Sequence, residues 1–303
     1  MSIQGSIHRY FLIVEKVQRN QLPTFIAIST SLKENGFEIS DRTLQRDIDA
    51  LRIEFNIDIR YDRNKNGYYI DKSDSTTESA IRFLEIATEA EIVLESFKDV
   101  QKTLSEISFE NTGSLKGIGY LRPLLFAIRY RRVIEFDHNS FSNDEKKKYI
   151  AHPYLLKEYQ GRWYIYAKID KVPKPLLFGI DRIDSLVVTK SVYKSVDIDL
   201  KGFDNVIGIS LSDEPTIDIV LKFTALQGKY IKALPIHSSQ IIIKEDEDQL
   251  TIKIHVVPNF ELKQKILMYG DSLLVLEPPS LAQEIQQLHK KSANQYGQRH
   301  SLS

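Results

Sequence analysis

No cysteine occurs in the 303 residues, which excludes disulfides, thiol nucleophiles and cysteine-based zinc sites. No apolar run reaches the ~18 residues that a membrane-spanning helix needs. The opening Met-Ser-Ile-Gln-Gly-Ser-Ile-His-Arg-Tyr lacks the continuous apolar core of a signal peptide. A soluble, cytoplasmic protein with no membrane partner is therefore expected. Missing too are a His-Glu-x-x-His pair, a Gly-x-Ser-x-Gly elbow and a phosphate-binding glycine loop ending in Lys-Ser/Thr. The seven histidines show no ligand spacing. The sequence thus predicts no catalytic residue, no metal and no cofactor, and an enzyme finds little footing.

Net charge is absent as well, since 41 Lys+Arg balance 41 Asp+Glu. The balance is uneven along the chain. Residues 1–72 hold eleven basic against ten acidic side chains, 73–114 three against nine, 115–190 fifteen against eight, and 191–303 twelve against fourteen. Only 115–190 is clearly basic. Because fields are local, that segment suits an anionic partner. The alternative is a solvated loop, for Lys146, Lys147 and Lys148 supply three of its charges.

What is present divides the chain into modules, as its length allows. Over 1–72 the pattern reads helix, helix, helix, hairpin. Ile7, Tyr10, Phe11, Ile13, Val14 and Val17 recur at helical spacing. Pro23-Thr24 opens a second helix that Asn35-Gly36 closes, and Ser40 caps a third over 41–52. In that third helix Leu44, Ile48 and Leu51 point inward, leaving Arg42, Thr43, Gln45, Arg46 and Asp49 on outward or flanking faces. Strands at Ile57–Tyr61 and Gly67–Ile70 follow, joined by a loop ending in Asn66-Gly67, a strong tight-turn signal.

Residues 73–132 read as a helical connector, with apolar marks running from Ile81 to Leu104, a break at Asn111-Thr112-Gly113, and a helix over 115–131. From 133 to 195 five short strand signals suggest a small, strongly bent sheet or barrel, with an exposed loop over 139–148. From 196 to 303 the order is β-α-β-β-α-β, the split βαβ or ferredoxin-like pattern. The fold class is multidomain α+β.

A helix followed by a hairpin is how a winged helix-turn-helix meets duplex DNA. The helix enters the major groove, where Arg reads guanine and Gln reads adenine. Arg42, Thr43, Gln45, Arg46 and Arg52 are the candidates on the helix, and Arg63 and Lys65 at the hairpin tip suit the phosphate backbone. The near-neutral charge of 1–72 leaves open an ordinary helical subdomain with solvated arginines.

The run Arg42-Thr43-Leu44-Gln45-Arg46-Asp47-Ile48-Asp49-Ala50-Leu51 resembles the recognition helix of the WYL-domain family of bacterial transcriptional regulators. Gly161-Arg162-Trp163-Tyr164-Ile165 is similar to the family's naming triplet, with Ile in place of the final Leu. His152-Pro153-Tyr154-Leu155-Leu156-Lys157 resembles the strand before it, and Phe178-Gly179-Ile180-Asp181-Arg182-Ile183 the Phe-x-Leu-Asp-Arg-Ile signature after it. Leu274-Val275-Leu276-Glu277-Pro278 resembles the signature of the C-terminal extension that accompanies these domains. The resemblance spans nearly the whole chain, in order.

It implies an Sm- or SH3-like barrel over about 118–193, carrying a surface for a nucleotide or single-stranded nucleic acid. Tyr154, Trp163 and Tyr164 offer stacking faces there, and His138, His152 and Arg182 can donate to phosphate. Trp163 reads equally as core, and Asp181-Arg182 equally as a structural ion pair. Many family members carry an arginine two places before the signature Phe, where this chain has Leu176.

The expected function is a homodimeric, DNA-binding transcription regulator whose middle domain senses such a ligand. The alternative is a module acting directly on single-stranded DNA or RNA without promoter regulation.

Overall fold

The computed structural model describes residues 3–19, 22–71, 75–96, 116–141, 145–170, 172–194, 198 and 200–297. The chain forms two compact units, residues 1–111 and 112–303.

In the first unit α1 (Ile3–Arg19) buries Ile13, Val14 and Val17 of the expected stripe, half-buries Ile7, Tyr10 and Phe11, and buries Leu12 as well. Helix α2 (Phe25–Glu34) starts where the Thr24 hydroxyl accepts the Ala27 amide at 3.2 Å, and it stops at Asn35, followed by Gly36 at φ +84°. Helix α3 (Asp41–Glu54) is capped by Ser40, whose Oγ accepts the Thr43 amide at 3.2 Å. A hairpin of β1 (Ile59–Asp62) and β2 (Gly67–Ile70) pairs in the register Ile59↔Ile70 to Asp62↔Gly67. Ile13, Ile28, Leu32, Leu44, Ile48, Leu51, Ile57 and Ile59 close one core around these elements.

Gly67 does more than turn the hairpin. A Cβ there would lie 2.2 Å from the Leu22 carbonyl oxygen, and the Tyr68 amide donates to the Pro23 carbonyl at 2.9 Å. Only glycine lets the hairpin approach the α1–α2 connection so closely. Helix α4 (Ser75–Ser96) lays Ile81 and Leu84 on the same core. The expected connector beyond it, residues 97–115 with Phe97, Val100 and Leu104, lies outside the described residues.

In the second unit the expected helix over 115–131 is interrupted. Gly117 takes φ +84°, a 3-10 turn covers Ile118–Tyr120, and only then does α5 (Leu121–Arg129) begin. A five-stranded antiparallel sheet follows, ordered β6-β5-β4-β3-β7. Its strands are β3 (Arg132–Asn139), β4 (Lys146–Tyr159), β5 (Arg162–Lys168), β6 (Leu176–Gly179) and β7 (Ile183–Val192). The 14-residue β4 pairs β3 with one half and β5 with the other. Its register slips between Pro153 and Leu155, an irregularity that accommodates a residue with no amide to donate. Leu124 and Ala127 of α5 cover Ile134, Phe136, Ala151, Ile165 and Phe178.

The loop expected over 139–148 is shorter at both ends, because Asn139 belongs to β3 and Lys146–Lys148 open β4, with Ser140, Phe141 and Glu145 outside the strands. Asn139 pairs with Lys146, His138 with Lys147 and Asp137 with Lys148, and each lysine reaches a nearby carboxylate. Lys146 lies 3.5 Å from Asp137 and 3.4 Å from Asp184, Lys147 3.1 Å from Glu145, and Lys148 3.0 Å from Glu135. Cross-strand pairing offsets charge that looks free along the linear sequence.

Residues 217–297 form β8 (Ile217–Thr224), α6 (Ala225–Ala233), β9 (Ile241–Glu245), β10 (Gln249–Val256), α7 (Phe260–Met268), β11 (Leu273–Glu277) and α8 (Pro279–Gly297). The sheet order is β11-β8-β10-β9 with every neighbouring pair antiparallel. Alternate residues Ile219, Leu221 and Phe223 face Leu262, Ile266 and Leu281 in its core. A smaller cluster, Tyr166 with Phe203, Val206 and Val257, seals the far face of β5.

Candidate functional site

On α3 the inward stripe Leu44, Ile48 and Leu51 is fully buried, which leaves Arg42, Gln45 and Arg46 exposed on the opposite side. Asp47 is buried with the stripe. It receives Arg9 of α1 through Nε at 2.5 Å and Nη2 at 3.1 Å, and burial leaves both side chains at most 5% exposed. The hydrogen bond to the Asp47 carboxylate raises the Arg9 pKa, which holds the guanidinium in its charged form. This clamp fixes the rotation of α3 about its axis, and with it the direction of the exposed face.

Two of the expected contact residues have structural partners. Thr43 shares its hydroxyl with Ser40 at 2.9 Å in the cap. Arg52 donates to the Ile59 carbonyl at 2.6 Å and to Asp49 at 3.1 Å, bracing β1 against α3. Gln45 lies 3.5 Å from Asp49, too long to hold its amide firmly. At the hairpin tip Asp62 accepts the amides of Asn64 and Lys65 at 2.8 and 3.1 Å, which turns Arg63 and Lys65 outward into solvent.

In the second unit the six candidates do not form one site. His138 and Arg182 come together. The Arg182 guanidinium lies over the Phe141 ring at 4.4 Å, and its Nε is 3.5 Å from Asp181, which also faces Arg162 at 3.9 Å. His138 is 8% exposed and hydrogen-bonded to the backbone of Gly179, and its Nε2 has no partner. Burial, and then the Arg182 charge, lower its pKa, so it is neutral at pH 7.

Two glycines make room for this arrangement. A Cβ on Gly179 would lie 2.5 Å from both the Arg182 Nη2 and the Asp181 Oδ1, and one on Gly117 2.3 Å from the Ile180 carbonyl oxygen. Beside them opens a cleft of about 660 Å³ lined by Lys116, Asn139, Phe141, Asp181, Arg182 and Asp184. Its mixed charge, with Arg182 half-buried over an aromatic ring, suits an anionic group with a flat face.

His152 and Tyr154 sit instead against Tyr193. The His152 ring lies parallel to Tyr193 at 4.7 Å, and the Tyr193 hydroxyl donates to the Pro153 carbonyl. Burial pushes the Tyr193 pKa up to about 12. Trp163 is partly buried and packs against the cluster that contains Ile165. Tyr164 is half-buried opposite Gly179 in the β5–β6 register. Phe141, Asn139 and Gly117 carry no signal for this cleft in the sequence, whereas Gly179 stands inside the Phe178–Ile183 signature.

The WYL domain family model matches residues 119–188, and the WCX domain model residues 215–293. No curated protein matches the chain. Among solved structures, the proteasome accessory factor B/C of Arthrobacter aurescens is 16% identical at TM-score 0.29, over 97% of this chain and 49% of that one. This chain thus spans about half that protein's length. A CRISPR Cas-related protein is 14% identical at TM-score 0.36, over 98% of this chain and 86% of that one. Superpositions this loose fix nothing about the arrangement here. The chain thus carries a WYL domain followed by a WCX domain, over the strands just described.

Proposed function

We propose that the chain is a WYL-type transcription regulator whose first unit is a winged helix-turn-helix that reads duplex DNA. The observation that carries this reading is α3, clamped by Arg9–Asp47 and presenting Arg42, Gln45 and Arg46 on one exposed face. Arg46 and Gln45 contact base edges in the major groove, while Arg63 and Lys65 contact phosphate from the hairpin tip. Thr43 and Arg52 support these contacts by holding the cap and the hairpin.

Two copies read paired half-sites. The exposed Phe83 and Ile86, one turn apart on α4, favour association through the connector. The WYL domain holds a nucleotide-like or single-stranded ligand at the Arg182 cleft. Binding there favours one arrangement of the DNA heads and changes DNA affinity by that difference, typically ~1–3 kcal/mol. His138 borders the cleft, and Tyr164 lies one strand away. The absence of a basic group at Leu176 sets this ligand apart from those of arginine-bearing relatives. Among the described residues no helix is long and apolar enough to cross a membrane, and none forms a metal-binding group.

Selection of bound duplexes from random DNA by the purified protein tests the reading. A palindromic consensus is expected. Recovery of random duplexes, with tight binding only to single strands, would favour the direct nucleic-acid module instead.

A further inference from the structure

The basic excess of the middle segment has a specific location. Lys146, Lys147 and Lys148 are offset by Asp137, Asp184, Glu145 and Glu135. Residues 116–132, by contrast, hold five basic side chains and no acidic one. Arg132 spends one of these on the Lys190 carbonyl. Arg122 and Arg129 on α5 are exposed and have no partner among the described residues.

Helical geometry puts these two on a shared face. At 100° per residue, Leu125, Arg129, Arg122, Phe126 and Tyr130 fall within an arc of roughly 140°, with the arginines in its middle. Leu124 and Ala127 occupy the opposite side and are buried on the sheet. The outer face is unusually apolar for solvent: Leu125 is 54% exposed, Phe126 49% and Tyr130 54%. The two rings lie 4.6 Å apart, tilted, with their outer faces open. On β4 and β5, by contrast, Trp163 packs against the sheet core and Tyr154 packs on Tyr193.

We propose that the α5 face binds single-stranded nucleic acid, with Arg122 and Arg129 on phosphates and bases stacked on Phe126 and Tyr130. Seven residues of helix separate the arginines by ~10.5 Å. A stacked strand carries one phosphate per ~3.4 Å, so the pair spans about three nucleotides. Alternating cations and exposed rings are the combination that holds single strands without base-edge readout. The inference rests on the reading that the WYL domain meets such a ligand, and it places the strand on the outer face of α5, the helix that follows Gly119 and Tyr120 of the cleft lining.

Fluorescence anisotropy of the full chain with a labelled 15-nucleotide DNA or RNA strand, over a salt series, tests it. Arg122→Ala/Arg129→Ala should weaken binding and flatten the log K against log salt slope by ~1.4, about 0.7 for each phosphate that an arginine no longer neutralises. Phe126→Ala/Tyr130→Ala should weaken it by roughly five- to hundred-fold with the slope kept. Both pairs are solvent-exposed, so thermal melts and duplex binding should match the parent. Parental strand affinity in both double variants would overturn the α5 site and leave the ligand reading standing. A parent that binds no single strand would overturn the α5 site and leave only a free nucleotide as the ligand of the Arg182 cleft. Unchanged strand binding with a shift in self-association by light scattering would assign the face to a second copy of the chain and sink the proposal.

Discussion

Arg9 of α1 grips Asp47 of α3 with two nitrogens, at 2.5 and 3.1 Å, across 38 residues of sequence and away from water. Asp47 belongs to the same short run as the exposed Arg42, Gln45 and Arg46, yet it faces the other way. One helix thereby carries its contact surface on one side and its anchor on the other. Removing one partner strands a buried charge, so Arg9→Met or Asp47→Leu alone should cost ~3–5 kcal/mol in urea unfolding. The double variant Arg9→Met/Asp47→Leu should recover most of that stability. A double variant as unstable as the sum of the singles would contradict this account.

Arg46→Ala and Gln45→Ala should each weaken binding to a selected duplex by ~1–3 kcal/mol while sparing a scrambled one. Arg52→Ala should behave differently, because its guanidinium holds the Ile59 carbonyl. Its melting temperature should fall, with affinity for all duplexes reduced together. Titration of the three variants against both duplexes separates the roles. Unchanged discrimination in Arg46→Ala and Gln45→Ala would remove α3 from reading.

At the hairpin tip, Arg63→Ala/Lys65→Ala should lower affinity for every duplex alike and reduce the salt slope by about one unit for each phosphate released. Altered sequence preference at an unchanged slope would place these side chains on bases instead.

The cleft makes a further claim on Arg182, which is partly exposed over Phe141. Arg182→Ala should fold, bind duplex DNA and lose its response to added nucleotide. A melt lowered together with DNA binding would make the Asp181–Arg182 contact structural. A folded variant that still responds like the parent would end the assignment.

His138 links stability to pH. Its folded pKa lies below the ordinary 6.5, so the unfolded chain takes up a proton first as pH falls. The contribution is complete above about pH 6.5 and is lost as pH drops from there toward the folded value. His138→Phe should therefore flatten this part of the melting-temperature profile. An identical acid response in parent and variant would show that other groups govern it.

Much of this was legible in the residues alone. Helix periodicity, the Ser40 cap and Asn66-Gly67 marked out the first unit, and the β-α-β-β-α-β order of the last module reads directly from alternation and turns. These signals are local, because capping and amphipathic spacing act within a few residues. The partners of charged groups were decided only in three dimensions. Lys146, Lys147 and Lys148 look like a free basic run until β3 and β7 bring Glu135, Asp137 and Asp184 beside them. Trp163 reads equally as platform or core until the fold packs it, partly buried, against the sheet's core cluster. Arg9 and Asp47 carry no mutual signal across 38 residues, since ion pairing depends on distance in space and on the exclusion of water. The same holds for Arg122 and Arg129 of α5, which stay exposed and without a partner among the described residues.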